Sequence, residues 1–270
     1  SNNTESIVLT NEQVTKENIL ALKNTLNKTS VHDKVIISCS SHGLLDDQKR
    51  FYLATHDVDF SHLIFGNDFT DYMFECDFKS GSWSNPTIRP FGNLSISPAA
   101  KIFHYGQAVF EGMKAYKDDQ GEIWLFRPED NFNRINKSSQ RLAIPKFPKE
   151  LFFEALESLL LLDKDWIKPG FGNSLYIRPF VIATECGVSA SPSKEYKFMI
   201  ICSPAHAYYH GDIKVVIAEY YSRSADGGVG AAKAAGNYAA QFYPTNLAKE
   251  KGFHQVIWTD AKEHKYLEEA

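Results

Sequence analysis

The chain has 270 residues, a formal net charge of −4, 43% hydrophobic and 23% charged residues. That balance fits a soluble globular protein of one large or two smaller domains. With no basic stripe it argues against nucleic acid as a partner. Cys39, Cys76, Cys186 and Cys202 are widely spaced, with no CxxC pair. This argues against a zinc or disulfide framework and fits a reducing cytoplasm. The N-terminal "SNNTESIVLTNEQ" lacks the pattern of a signal peptide, and the longest apolar run, Leu159 to Leu162, is far too short to span a bilayer.

In chain order, residues 1–50 read as an N-terminal extension: a helix over "NEQVTKENILALKNTL" and a short strand over "KVIISC". From "FYLATHDVDF" to "RPFVIATE" strands dominate. "KIFHYGQAVFEGMKAYK" and "GEIWLFRP" read as β-rich segments joined in a hairpin by "KDDQG". Two helices follow. "PEDNFNRINKSSQRLA" opens on Pro128 with acidic residues behind it, and sets Phe132, Ile135 and Leu142 on one side. "PKELFFEALESLLLLDKDW" repeats Leu151, Ala155, Leu159 and Leu162 at helical spacing. Strands return in "SLYIRPFVIATE", "YKFMIICSP", "IKVVIAEYY" and "HQVIWTD", and the polar residues 205–212, "AHAYYHGD", read as a linker.

One stretch calls for chemistry. "GGVGAAKAAGNYAAQ", Gly227 to Gln241, sets Lys233 among glycines and alanines with no other charge for six residues on either side. A phosphate-binding P-loop is excluded, because the Gly-Lys-Ser/Thr ending is missing. Two readings stay open: a flexible Gly/Ala surface loop that contains a lysine, and a catalytic amine. In the second, small apolar neighbours keep water away and disfavour the ammonium, leaving an amine able to attack a carbonyl. Tyr238 follows five residues on, and Glu268 and Glu269 close the chain. A lysine, a phenol and a carboxylate are the groups that pyridoxal phosphate chemistry requires.

Together, "FHYGQAVFEGMKAY", "LFRPEDNFNRINKSSQRLAIP", "SLYIRPF" and "GGVGAAKAAGNYAAQ" resemble the branched-chain-amino-acid aminotransferases. These are fold-type IV pyridoxal-phosphate enzymes, and the eukaryote-like subgroup fits best. The resemblance runs from about Phe60 to Ala270. It implies an α+β protein with a small domain over 51–204 and the first part of a larger, cofactor-binding domain over 213–270. The family's chain continues past the point matching Ala270, so this one reads as truncated.

Residue by residue, the resemblance makes Lys233 the Schiff-base lysine and Tyr238 the partner of the cofactor's phenolic oxygen. Glu269 becomes the partner of the pyridine nitrogen, and Arg134 the phosphate-binding arginine. A forked guanidinium suits a phosphate dianion, although without the motif Arg134 reads equally as a helix-surface residue. Tyr105, Phe110, Tyr176, Arg178, Tyr208 and Val188 match the substrate side. Tyr176 and Arg178 alternate along one strand and so share a face. Gly112 reads as a point of close approach in the pocket wall. The loop "ECGVSAS" is shorter than in the animal enzymes, and Cys186 stands near an expected leucine.

The reaction implied is amino transfer from leucine, isoleucine or valine to 2-oxoglutarate, giving glutamate and a branched 2-oxo acid. A homodimer is the implied assembly, with neither a membrane nor a metal involved. The rival readings are D-amino-acid aminotransferase and aminodeoxychorismate lyase of the same fold, or a non-catalytic protein that keeps the fold.

Overall fold

The computed structural model describes residues 43–45, 51–53, 65–170, 172–205 and 213–268. The helix and strand expected within residues 1–42, the linker residues 206–212 with Tyr208, and Glu269 lie outside these. The chain divides into two compact units, Ser1–Leu63 and Ile64–Ala270. In the first, β1 (Gly43–Leu45) pairs antiparallel with β2 (Phe51–Leu53).

The second unit is organised on a seven-stranded sheet. Its strands are β3 (Tyr72–Lys79), β4 (Ser82–Pro90), β5 (Ala108–Phe110), β6 (Met113–Lys117), β7 (Ile123–Leu125), β8 (Ser174–Ala183) and β9 (Tyr196–Ala205). The order is β4-β3-β9-β8-β6-β7, with β5 also on β8, and every pairing is antiparallel. The β3–β4 turn is Ser80-Gly81, both at positive φ (52° and 85°), the conformation a two-residue hairpin needs. The β6–β7 hairpin turns at "KDDQG", as its turn residues predict.

β8 lies next to β9, β6 and β5, and its residues alternate strictly. Leu175, Ile177, Val181 and Ala183 are buried, while Tyr176, Arg178, Phe180 and Ile182 face the other side half-buried. This period of two delivers a core face and a functional face from one strand. On the core side α3 (Lys149–Leu162) packs against β3 and β4. Phe147 stacks on Phe198 with ring centroids 3.7 Å apart, and Phe152, Phe74 and Trp83 meet these rings edge-on.

Two local expectations are corrected. "KIFHY" is not strand but a short helix, α1 (Lys101–Tyr105), which ends at Gly106 in the left-handed conformation. In α3 the buried stripe is Phe152, Ala155, Leu156, Leu159 and Leu160, whereas Leu162 is exposed. An all-apolar tail "LLLL" leaves periodicity nothing to discriminate with, so tertiary contact decides which leucines go inside.

α2 (Pro128–Arg141) begins as its sequence predicts, with Pro128 in its first turn and Glu129 and Asp130 behind it. It buries Phe132 and Ile135. Near the C-terminal end, β10 (Val215–Ile217) pairs parallel with β11 (Gln255–Ile257), and Ala248, Val256 and Trp258 form a small apolar cluster with Val216, Ala218 and Phe253. Between these strands run α4 (Ala235–Ala239) and α5 (Phe242–Glu250). Among the described residues no helix is long and apolar enough to cross a membrane.

Candidate active site

Lys233 does not sit in a loose loop. Its neighbours Ala232 and Ala234 are 5% and 4% exposed and pack inside, while Gly228, Val229, Ala231 and Gly236 of the same stretch are exposed. The Lys233 backbone N–H donates to Ser138 Oγ of α2 at 2.9 Å, and its carbonyl accepts from the Phe110 N–H of β5 at 3.1 Å. Ala234 bridges to Val109, so the segment adds an antiparallel contact beside β5. The Asn237 side chain, buried in α4, donates to the carbonyls of Val229 and Ala232 and fixes the curve of the glycine-rich approach. The backbone at Lys233 and Ala234 is thus fastened to α2 and β5.

The half-buried Lys233 Nζ lies 2.8 Å from the Tyr238 hydroxyl. It also stands 5.0 Å from the Phe110 ring centroid and 5.1 Å from that of Tyr238, within cation–π reach of both. The two rings meet edge-on at 4.7 Å. Across Phe110, the Arg178 guanidinium sits 4.6 Å from the ring centroid and donates to the Tyr176 hydroxyl at 2.7 Å. Five residues from three parts of the chain thus converge: Lys233, Tyr238, Phe110, Arg178 and Tyr176. Gly112 supports the arrangement by having no side chain, because a Cβ there would overlap the Tyr176 hydroxyl.

Arg134 projects from α2 onto Glu111, the residue after Phe110. Its Nε donates to Oε1 at 2.5 Å and its Nη2 to Oε2 at 2.8 Å, a bidentate pair. Glu111 is fully buried, while the Arg134 side chain is 53% exposed. Asn131 and the Gly112 N–H also donate to Glu111. Sequence reasoning missed Glu111, Asn131 and Ser138. A signal existed: Asn131, Arg134 and Ser138 fall at i, i+3 and i+7, a polar stripe beside the apolar Phe132 and Ile135. Glu111 was also legible as a lone carboxylate in the apolar run "AVFEGM".

Tyr105 and Val188 are brought to each other instead. The Tyr105 hydroxyl donates to the Val188 carbonyl, and no contact among the described residues joins this pair to Lys233. The Val188 side chain is 70% exposed on a well-fastened loop. Lys101, 2% exposed, ties that loop down through Glu185 (3.1 Å), Ser191 (2.9 Å) and the Pro192 carbonyl (3.3 Å). The Lys194 backbone N–H, followed in effect by the Lys101 ammonium, holds the Glu185 carboxyl below its ordinary range.

The donor set fits pyridoxal phosphate. It offers an amine for an aldehyde, a phenol beside that amine, and a guanidinium for a phosphate. One observation asks for an anionic ligand directly: Arg178 Nε is buried without an acceptor among the described residues. A buried donor left unmet costs about 1–3 kcal/mol. Two cavities lie near the segment, one of about 850 Å³ lined by Tyr238, Gln241 and Thr245 and one of about 870 Å³ lined by Gly227, Gly228 and Glu268, and Lys233, Phe110 and Arg178 line neither.

The family described as "Amino-transferase class IV" matches residues 108–268, more than half of the chain, and the chain belongs to it. Among curated proteins the chain is 46% identical over 231 residues to branched-chain-amino-acid transaminase 1 of Bacillus subtilis (strain 168), covering 84% of this chain and 65% of that one. It is 48% identical over 214 residues to the probable branched-chain-amino-acid aminotransferase of Staphylococcus aureus (strain N315), covering 77% and 60%. The chain thus spans less than two thirds of the length of these relatives. Among solved structures, the Escherichia coli branched-chain amino acid aminotransferase superposes with a TM-score of 0.56 at 22% identity, over 70% of this chain and 60% of that one, a likeness of fold.

Proposed function

We propose that the protein is a pyridoxal-phosphate-dependent transaminase that moves the amino group of leucine, isoleucine or valine to 2-oxoglutarate. The observation that carries this reading is the Lys233 amine set 2.8 Å from the Tyr238 hydroxyl within the Phe110–Arg178 cluster. Relatives at 46% and 48% identity that bear branched-chain aminotransferase names support the substrate class.

When bound, pyridoxal phosphate supplies a reactive aldehyde and an electron-withdrawing pyridine ring. Lys233 would hold the aldehyde carbon, Tyr238 the phenolic oxygen, Arg134 the phosphate and Glu269 the pyridine nitrogen. The Lys233 amine would act as the general base, taking the proton from the substrate's α-carbon. The Tyr238 hydroxyl orients that amine through its hydrogen bond. Tyr176 and Arg178, together on one face of β8 and hydrogen-bonded to each other, take the substrate carboxylate. Phe110 closes the apolar side, and the resemblance to the family assigns Tyr105, Val188 and Tyr208 to the substrate side as well.

Two substrates enter in turn, so the kinetics are ping-pong. A homodimer is the working assembly, with the Val188 loop facing the neighbouring copy, and the protein works in the cytoplasm. Residues 51–204 and 213–270 belong to two domains joined at 205–212, with the site between them.

The test is an absorption spectrum of the purified protein with pyridoxal phosphate, followed by borohydride reduction and peptide mapping. A reduced cofactor fixed on Lys233, together with glutamate formed from leucine and 2-oxoglutarate, supports the reading. A cofactor fixed elsewhere, or activity on D-alanine alone, overturns it.

A further inference from the structure

Glu111 has no role in the chemistry above, yet it is among the most deeply buried large side chains of the chain, at 0% exposure. A carboxylate in that position is costly unless donors surround it. It receives Arg134 Nε at 2.5 Å and Nη2 at 2.8 Å, Asn131 Nδ2 at 2.9 Å and the Gly112 N–H at 3.1 Å. Its backbone N–H donates to the Pro179 carbonyl of β8 at 2.7 Å, so the residue is anchored at both ends. The pair is asymmetric, because the Arg134 side chain is 53% exposed. A half-exposed arginine on a helix surface samples many rotamers and loses that freedom on binding. Clamped through Nε and Nη2, it keeps one orientation before any ligand arrives.

We propose that Glu111 is a positioning residue that sets the Arg134 guanidinium in advance for an anionic phosphate group. A guanidinium has five N–H groups in a fixed fork, so an edge held by a carboxylate still allows a second acceptor to share the group. A carboxylate also repels a nearby phosphate, so its presence is favourable only through the arginine between them. Placing the acid immediately after Phe110, whose ring lies against Lys233, ties the orientation of Arg134 to the strand that carries the amine's neighbour. The inference rests on the reading of Arg134 as the phosphate ligand.

The experiment compares the affinity of the protein for pyridoxal 5′-phosphate and for pyridoxal, which lacks the phosphate, by equilibrium dialysis. Three variants are measured beside the wild type: Glu111→Gln, Glu111→Asp and Arg134→Gln. For both Glu111 variants, affinity for pyridoxal 5′-phosphate is expected to fall about tenfold, the scale on which an outer partner of a ligand-holding group acts. Affinity for pyridoxal is expected to stay within about twofold. Equal losses for both compounds, including failure to bind either, mean that Glu111 serves the fold and overturn the proposal. No loss for either compound in the Glu111 variants overturns it as well. Arg134→Gln separates the two levels. If it leaves the ratio of the two affinities unchanged, the phosphate reading of Arg134 fails. If it lowers the ratio while the Glu111 variants do not, only the role of Glu111 fails.

Discussion

The Lys233 amine and the Tyr238 hydroxyl stand 2.8 Å apart, and the amine and the tyrosine ring both lie against the ring of Phe110. The hydroxyl can therefore be removed without disturbing the ring packing. Tyr238→Phe is expected to lower turnover about tenfold, the scale of losing one hydrogen bond that orients the amine. Lys233→Ala is expected to abolish turnover and the borohydride-fixed label together. Near-normal steady-state turnover in the alanine variant would sink the assignment of Lys233.

Glu269 and Glu268 are adjacent, and only one can serve the pyridine nitrogen. Glu268 already accepts a hydrogen bond from the Ser224 hydroxyl at 2.5 Å. Glu269→Gln is expected to cut turnover about a hundredfold, as loss of one strong electrostatic contact does. A loss below about threefold would move the role to Glu268.

Gly112→Ala places a methyl against the Tyr176 hydroxyl, which is bonded to Arg178. Overpacking of this kind costs about 1–3 kcal/mol. A lower melting temperature is expected, with a raised KM for amino acids because Arg178 shifts with its partner. An unchanged KM would separate Arg178 from substrate binding.

Much of this site was legible before any fold was known. Lys233 among small residues, Tyr238 five places on, and the start of α2 at Pro128 are local patterns, and local patterns survive in sequence. The partnership of Glu111 with Arg134 was not legible as such. It joins the end of a strand to a helix 23 positions away, and no periodicity reports which face of one element meets another. "KIFHY" misled for a related reason: β-branched and aromatic residues suit a strand, but His104 bonds back to the Pro98 carbonyl and the chain turns as a helix. Gly112 was readable as a close approach, though not that a tyrosine hydroxyl fills the space.

The loop that carries Val188 offers a pH-dependent test. The Glu185 carboxyl is held below its ordinary range, first by the Lys194 N–H and then by Lys101. Because the folded value lies below the unfolded one, this contribution to stability is full above the ordinary glutamate range and is lost as pH falls through the lowered value. Glu185→Gln is expected to melt earlier than wild type near neutrality, with the gap closing in acid. A gap that widens in acid would reverse the sign and exclude the pairing as its cause.

Val188 tests the assembly. Its side chain is exposed although the loop beneath it is fastened by Lys101 and by the Tyr105 hydroxyl. A rigid loop that offers an apolar tip fits coverage by a second copy related by a two-fold axis. Val188→Asp is expected to raise KM for leucine more than for glutamate. A fully active monomer in sedimentation would exclude the arrangement.

The polar stripe of α2 acts as a gauge. Arg134 and Ser138 are four residues apart, about 6 Å along the axis, and the Ser138 hydroxyl accepts from the Lys233 backbone N–H. The spacing between the Glu111 contact of Arg134 and the Lys233 contact of Ser138 is thus set by one rigid rod. Such a rod tolerates exchange of its outward-facing residues. It does not tolerate a change of length: inserting a single residue between Arg134 and Ser138 would swing one relative to the other by about 100°, so that the strand end and the lysine segment could no longer both be met by the same helix.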